Sequence, residues 1–170
     1  MNKPNVSVVM PCLNEEHTLL GCIEAAQRGI KEAGIIGEIV ISDNGSTDRS
    51  VEIAEANGAR VVHCAARGYG NALRAGFAAA EGDWIIMGDA DQSYDFGEIP
   101  RFWEKIKAGN DLVMGSRLKG TIMKGAMPPL HQYLGNPVLS RIVRILFRTP
   151  LSDSHCGLRA FTKQALERMD

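Results

Sequence analysis

Two aspartates one residue apart, Asp89 and Asp91, follow the apolar run Trp84–Gly88. Carboxylates this close repel one another unless a cation lies beside or between them. Hard oxygen ligands suit Mg2+ or Mn2+, ions that usually bridge to substrate phosphates. Taken alone, Asp89-Ala90-Asp91 would serve equally as an acidic turn without metal. It is not alone, because four other short apolar runs also end in polar residues. These ends are Pro11-Cys12-Leu13-Asn14-Glu15-Glu16, Asp43-Asn44-Gly45-Ser46-Thr47-Asp48, Arg67-Gly68-Tyr69-Gly70-Asn71 and Ser116-Arg117. Asn14 or Asp43 singly would pass as a turn former or helix cap. Five such ends on one edge call for a ligand.

The elements needed to bring them together are legible. Val6–Met10, Glu38–Ser42, Arg60–Cys64, Trp84–Gly88 and Leu112–Gly115 read as strands, the first ended by Pro11. Helical spacing occupies Glu15–Ala33, where Leu19, Leu20, Ile23, Ala26 and Ile30 share a face. Further helices are expected at Thr47–Asn57 (capped by Ser46 or Thr47), Tyr69–Ala80 and Phe96–Lys107. Strands with little polar alternation, separated by helices, predict an α/β fold: a Rossmann-like, mainly parallel sheet with helices on both faces. In such a sheet ligands bind beyond the carboxyl ends of the strands, which is where the five polar ends fall.

Gly68-Tyr69-Gly70 partly fits the dinucleotide fingerprint, since it opens a helix and Asp89 lies about twenty residues on. The third glycine position holds Leu73, and the turn is the third strand-to-helix connection instead of the first. A nicotinamide-dependent oxidoreductase is therefore a secondary reading.

The ordered segments VSVVMPCLNEE, EIVISDNGSTDRS, RGYGNALRAGF, GDWIIMGDADQSYDF and DLVMGSR resemble the inverting glycosyltransferases of family 2, with the GT-A fold. Downstream, SDSHCGLRAF is similar to the acceptor-side turn of the polyprenyl- or dolichyl-phosphate sugar synthase branch. The resemblance implies roles at matching positions. Pro11, Asn14 and Glu15 contact the nucleotide, and Asp43 binds the base. Gly68, Gly70 and Asn71 close over the nucleotide. Asp89 lies near ribose and metal, Asp91 is the metal ligand proper, and Arg117 contacts phosphate. Asp91 and Arg117 are then the catalytic pair. The branch often reads D-A-D-x-Q, whereas here Gln92 follows Asp91 directly and Ser93 takes the next place. The third ligand is left between Gln92 and His155.

The chemistry expected on this reading is transfer of a hexose from a nucleotide-diphosphate sugar, UDP- or GDP-linked, to a lipid-linked phosphate. A metal at Asp91 neutralises the diphosphate leaving group, and Arg117 adds a further cation. A phosphomonoester acceptor with a second pKa near ~6 is largely a dianion at neutral pH and needs no general base. A saccharide hydroxyl acceptor, as in polysaccharide synthesis, would need one, with Asp95, Glu98 and Asp153 as candidates. A non-catalytic nucleotide-sugar sensor is a further alternative.

Residues 117–136, rich in Gly, Pro and Lys, read as a long loop, followed by a helix over Val138–Phe147 opened by Pro137. Arg141, Arg144 and Arg148 share one face of it, while Leu139, Ile142, Val143, Leu146 and Phe147 cover much of the rest. Such a helix suits either a solvated bundle surface or the headgroup level of an anionic membrane. Residues 151–159 read as a polar turn, in which Asp153, His155 and Arg159 form the acceptor side, and Thr162–Met169 starts a helix. Residues 1–117 are then the nucleotide-sugar part, and 118–170 the acceptor and membrane part, of one domain that the chain leaves incomplete.

Composition agrees. The 170 residues carry net −1, with 19 Lys and Arg against 20 Asp and Glu. The balance is uneven: through Ser116 there are 10 basic and 17 acidic residues, net −7, and from Arg117 on there are 9 basic and 3 acidic, net +6. A pI near 6.4 argues against nucleic-acid binding. No run of ~18 apolar residues could span a bilayer, and the N-terminus lacks a signal peptide's apolar run. Cys12, Cys22, Cys64 and Cys156 form no CxxC pair and suit a reducing compartment. The expected location is the cytoplasmic face of the membrane.

Overall fold

A computed structural model describes residues 3–116, 136–149 and 152–168; the expected loop at 117–136, Arg117 included, lies outside them except for Asn136, which is helical. The strands are β1 (Val6–Cys12), β2 (Gly37–Asp43), β3 (Arg60–His63), β4 (Trp84–Met87), β5 (Leu112–Met114) and β6 (Arg159–Thr162). The helices are α1 (Leu19–Glu32), α2 (Ser50–Ala56), α3 (Tyr69–Ala79), α4 (Ile99–Lys107), α5 (Asn136–Phe147) and α6 (Lys163–Glu167).

The sheet order is β3-β2-β1-β4-β6-β5. β1 pairs in parallel with β2 and β4, and β2 with β3. All seven residues of β1 are buried, the pattern of a strand covered on both faces. Val9, Val40, Ile85 and Met87 form one apolar layer under α3, with the Phe77 and Phe161 rings edge-to-face at 5.2 Å. The approach of α3 is close: a Cβ on Gly76 would stand 2.5 Å from Val9 Cγ1, so the helix seats on the sheet only because that position is glycine. Val8, Met10, Ile39, Ile41 and Ile86 alternate to the other face and are equally buried. α1 turns Leu19, Cys22, Ile23 and Ala26 inward and packs on α4, which buries Ile99, Phe102 and Ile106.

Several boundaries differ from expectation. β1 does not stop before Pro11 but runs to Cys12, opposite Asp43. Pro11 shares the parity of Val9, whose carbonyl accepts Gly88 N–H from the β4 side. Since β4 ends at Met87, the donor that proline lacks has no ladder partner to miss. α2 starts at Ser50, three residues late, because Asp48 Oδ1 accepts the Ser50 N–H at 2.9 Å; neither Ser46 nor Thr47 caps it. The fourth helix is split: Phe96–Glu98 is a 3-10 turn whose Gly97 N–H is taken by Asp95, and α4 follows.

The largest difference is β6. The segment read as a turn and a helix start contains a strand inserted between β4 and β5. Thr162 N–H donates to Asp111 O at 3.2 Å and Gly115 N–H to Leu158 O at 2.9 Å, so β6 runs antiparallel to β5. Thr162 then caps α6 by accepting the Ala165 N–H at 2.9 Å.

The chain divides into two compact units: the residues up to Val113 together with those from Ala160 on, and Met114–Arg159.

Candidate active site

The register of the sheet sets the site. Cys12, Asp43 and His63 lie abreast at the carboxyl edge. β4 aligns Met87 with Val9 and stops there, so Gly88–Asp91 fill the edge beside Met10–Leu13. A cleft of about 380 Å3 opens at this edge of the first unit. Its walls come from the ends of β1 (Pro11, Glu15), β2 (Asn44), β3 (Arg67, Gly68, Tyr69) and β4 (Asp89, Asp91). Four of the five expected strand ends are thus brought together; of the fifth, Ser116 belongs to the second unit and Arg117 lies outside the described residues.

Backbone hydrogen bonds lock the first two ends to each other. Asn14 adopts a left-handed φ of 59°. There its N–H donates to Ser46 Oγ at 3.0 Å, and its side-chain oxygen accepts the Thr47 N–H at 2.8 Å. Glu15 N–H donates to Ser50 Oγ at 2.8 Å, while the Glu15 carboxylate accepts Thr18 Oγ1–H at 2.9 Å. Asp43 is 4% exposed. Burial alone would raise its carboxyl, but bonds from the Ser46 hydroxyl and the Ser46 and Gly45 N–H groups, with His63 beside it, outweigh this and hold it below the ordinary range. Asp43 is therefore a fixed anion at the carboxyl edge of the sheet, next to Asn44 of the cleft wall. The Cys12 thiol beneath it is pushed up by burial and is inert packing.

Asn44, quoted above only as part of a turn, is the residue on which the third end depends. It is buried, its side-chain N–H2 donates to Ala66 O at 2.9 Å and Cys64 O at 3.3 Å, and its oxygen accepts the Gly68 N–H at 2.7 Å. Gly68 has φ 123°, a conformation that L side chains rarely adopt. Asn71 closes the loop on the Arg67 carbonyl at 2.9 Å. Gly70 differs: a Cβ there would meet no atom of the described residues within 4 Å, so none of them demands glycine. Tyr69, also not expected as a site residue, reaches across the cleft and donates its hydroxyl to Asp89 Oδ1 at 2.7 Å.

Asp89 is half-buried and Asp91 exposed, with Asp91 Oδ1 accepting the Ser93 N–H at 2.9 Å. Gln92 turns back at φ 62° and donates its amide to Thr18 O at 3.3 Å, lying over Gly21 of α1. Among the described residues, no three His, Cys, Asp or Glu side chains gather into a metal cage. A donor set of two carboxylates with open positions fits an ion whose coordination is completed by water and substrate phosphates.

Of the candidate bases, Asp95 caps the 3-10 turn and Glu98 pairs with Arg101 at 2.7 Å. In the second unit, Asp153 is 1% exposed and accepts the His155 N–H at 2.9 Å. His155 Nδ1 lies 3.0 Å from Ser154 Oγ, and Arg159 Nε donates to Cys156 O at 2.8 Å. Asp153, His155 and Arg159 thus share one tightly bonded turn. α5 buries Ser140 against Ser154 and leaves Leu139, Ile142, Ile145, Leu146 and Phe147 exposed, the last at 73%.

The sequence model described as Glycosyl transferase family 2 matches residues 7–170. A low-salt glycan biosynthesis hexosyltransferase of Haloferax volcanii is 45% identical over 168 residues, covering 98% of this chain and 40% of that protein. The dolichyl-phosphate hexose transferase of the same organism is 33% identical over 98% of this chain and 70% of its own length. An undecaprenyl-phosphate 4-deoxy-4-formamido-L-arabinose transferase of Pectobacterium carotovorum is 34% identical, with coverages of 97% and 51%. The chain therefore spans less than the full length of these relatives. Among solved structures, glucosyl-3-phosphoglycerate synthase of Mycobacterium tuberculosis, in complex with Mn2+ and uridine-diphosphate-glucose, superposes with a TM-score of 0.71. It is 25% identical, over 96% of this chain and 57% of that one.

Proposed function

Because this chain belongs to glycosyltransferase family 2, we propose that it transfers a hexose from a nucleotide-diphosphate sugar to a polyprenyl or dolichyl phosphate, with inversion at the anomeric carbon. The observation that carries this reading is one cleft into which β1, β2, β3 and β4 deliver Glu15, the buried Asn44, a glycine-containing loop and the Asp89 and Asp91 carboxylates. Relatives named for dolichyl- and undecaprenyl-phosphate substrates support the acceptor class. A neighbour bound to Mn2+ and uridine-diphosphate-glucose supports the donor class.

The roles in this reading are those the family resemblance assigns, and the geometry of the cleft supports several of them. Asp43, held ionised, accepts from the N–H edge of the base. Pro11, Asn14 and Glu15 form the wall along the nucleotide. Gly68 and Asn71 shape the loop that covers it. Gly70, with no neighbour for a side chain among the described residues, leaves room for close approach of the diphosphate. Asp89 takes the ribose side. Asp91, with Asp89, would hold Mg2+ or Mn2+, whose charge neutralises the departing diphosphate. Arg117 is the second cation on phosphate. Gln92 or His155 remains the candidate third ligand, and Gln92 must leave Thr18 to serve. In this reading residues 1–117 hold the donor and 118–170 the acceptor, with Asp153, His155 and Arg159 on the acceptor side.

One observation favours a phosphate acceptor, which needs no base, over a saccharide hydroxyl: Asp95 caps a turn, Glu98 is ion-paired and Asp153 is 1% exposed and bonded to the His155 N–H. Among the described residues no helix is long and apolar enough to cross a membrane. α5, with exposed apolar residues beside Arg141, Arg144 and Arg148, supports seating at the cytoplasmic surface of an anionic bilayer.

The test is a panel of UDP- and GDP-hexoses with Mn2+, offered undecaprenyl or dolichyl phosphate and, separately, free saccharides. Metal-dependent hexosyl-phospholipid with inverted anomeric configuration is expected. Product on saccharides alone would move the assignment to polysaccharide synthesis. Binding of NAD with no binding of nucleotide sugars would overturn it.

A further inference from the structure

We infer that Tyr69 is a positioning residue for the donor: its hydroxyl, carried by the loop that Asn44 fixes at Gly68, orients the Asp89 carboxylate for the nucleotide. The inference rests on the donor reading above and names a residue that reading does not use.

Three observations carry it. The Tyr69 hydroxyl donates to Asp89 Oδ1 at 2.7 Å, a bond to a charged group across twenty residues of sequence. Tyr69 is 55% exposed, so it is not there to fill the core; an apolar ring left at the surface beside a polar cleft is explained by what its hydroxyl does. Its backbone is anchored as well. Gly68, directly before it, has φ 123° and is fixed by the 2.7 Å bond to the buried Asn44. Asn71 closes the same loop from the other side. Asn44, Tyr69 and Asp89 thus tie the ends of β2, β3 and β4 into one chain of contacts.

The consequence is geometric. A carboxylate at the end of a strand rotates about χ2 through a broad range. Tyr69 occupies Oδ1 and stops that rotation, which leaves Oδ2 to the ligand. No proton is transferred; the hydrogen bond only fixes the carboxylate. The gain is pre-organisation, since the ordering of Asp89 precedes ligand binding.

The experiment is calorimetric titration of the chain with UDP and GDP in the presence of Mn2+, using wild type, Tyr69→Phe, Asp89→Asn and the double variant, with thermal midpoints alongside. Tyr69→Phe keeps the ring and removes only the hydroxyl. The expected result is five- to thirty-fold weaker nucleotide binding in Tyr69→Phe, with an unchanged midpoint and with no further loss when Tyr69→Phe is added to Asp89→Asn. An equal loss in both backgrounds would show that Tyr69 acts elsewhere than through Asp89 and would overturn the inference. So would unchanged or tighter binding in Tyr69→Phe; tighter binding would mean that the hydroxyl competes with the ligand for Asp89. If wild type binds neither nucleotide, the donor reading itself fails, an outcome distinct from the others.

Discussion

Asn44 accepts the N–H of Gly68 at 2.7 Å while donating to the carbonyls of Cys64 and Ala66. One buried carboxamide therefore satisfies three backbone groups of a loop twenty residues away. Replacing it by alanine leaves two carbonyls and one N–H to find water, each at about 1–3 kcal/mol where burial prevents this. Asn44→Ala is expected to lower stability by about 2–4 kcal/mol in urea denaturation and to weaken nucleotide binding at least tenfold. Asn44→Asp keeps the acceptor and loses both donors, so it is expected to fall between alanine and wild type. A stability change under 0.5 kcal/mol in Asn44→Ala would refute this account of the loop.

Asp91 separates chemistry from folding. It is exposed and accepts the N–H of the neighbouring Ser93, so Asp91→Asn is expected to unfold within a degree or two of wild type. Hexosyl transfer in the presence of Mn2+ should drop at least about a hundredfold, the scale of several kcal/mol of leaving-group stabilisation. Equal activity with and without Asp91 under saturating Mn2+ would remove it from the metal site.

Acid sensitivity is expected to centre on Glu38. Burial pushes its carboxyl up, but the Ser7 hydroxyl at 2.5 Å, the Glu81 N–H at 2.6 Å and the Arg60 guanidinium at 2.6 Å hold it below its ordinary value overall. Asp43 is lowered in the same sense. A carboxyl with a depressed folded-state pKa contributes stability that is complete above its unfolded value. That stability is lost as the pH falls through the folded value. Unfolding free energy should therefore be level near neutrality and fall below about pH 4.5. Glu38→Gln should cost about 1–3 kcal/mol at pH 7 and flatten that acid limb. A variant whose acid limb coincides with that of wild type would sink the assignment.

Binding of α5 to membranes is expected to depend on both of its surfaces. Cosedimentation with vesicles containing phosphatidylglycerol should fall tenfold or more on Arg141→Glu with Arg144→Glu, at roughly 1 kcal/mol per basic residue. Ile142→Asp should lower binding by an amount that added salt does not mimic. Equal binding to neutral phosphatidylcholine vesicles would contradict an electrostatic role for the arginines.

Much of this was legible before any coordinates, and for a physical reason. Val6–Met10 and Trp84–Met87 are apolar enough to be buried on both faces, so their ends had to be parallel and near one another. That placed Asp43, Asp89 and Asp91 on one edge. What escaped were residues whose role depends on a partner distant in sequence. Asn44 looks like any turn asparagine until Gly68 is placed beside it. Tyr69 reads as a helix start until Asp89 is opposite. β6 was hidden because four residues, Arg159–Thr162, are too short for a period to declare itself, and their strand character comes from the free edges on either side.

The position of β6 has a consequence in time. As the chain leaves a ribosome, β1 to β4 find their neighbours as each pair appears. β5 does not: the strand that joins it to the rest, β6, is made more than forty residues later. At roughly 5–20 residues per second this leaves the outer edge of β4 uncovered for several seconds. During that interval the nascent chain presents a row of free backbone donors and acceptors, the template on which strands of other chains can add. How long that edge stays open during synthesis is thus set by how soon the four residues Arg159–Thr162 arrive.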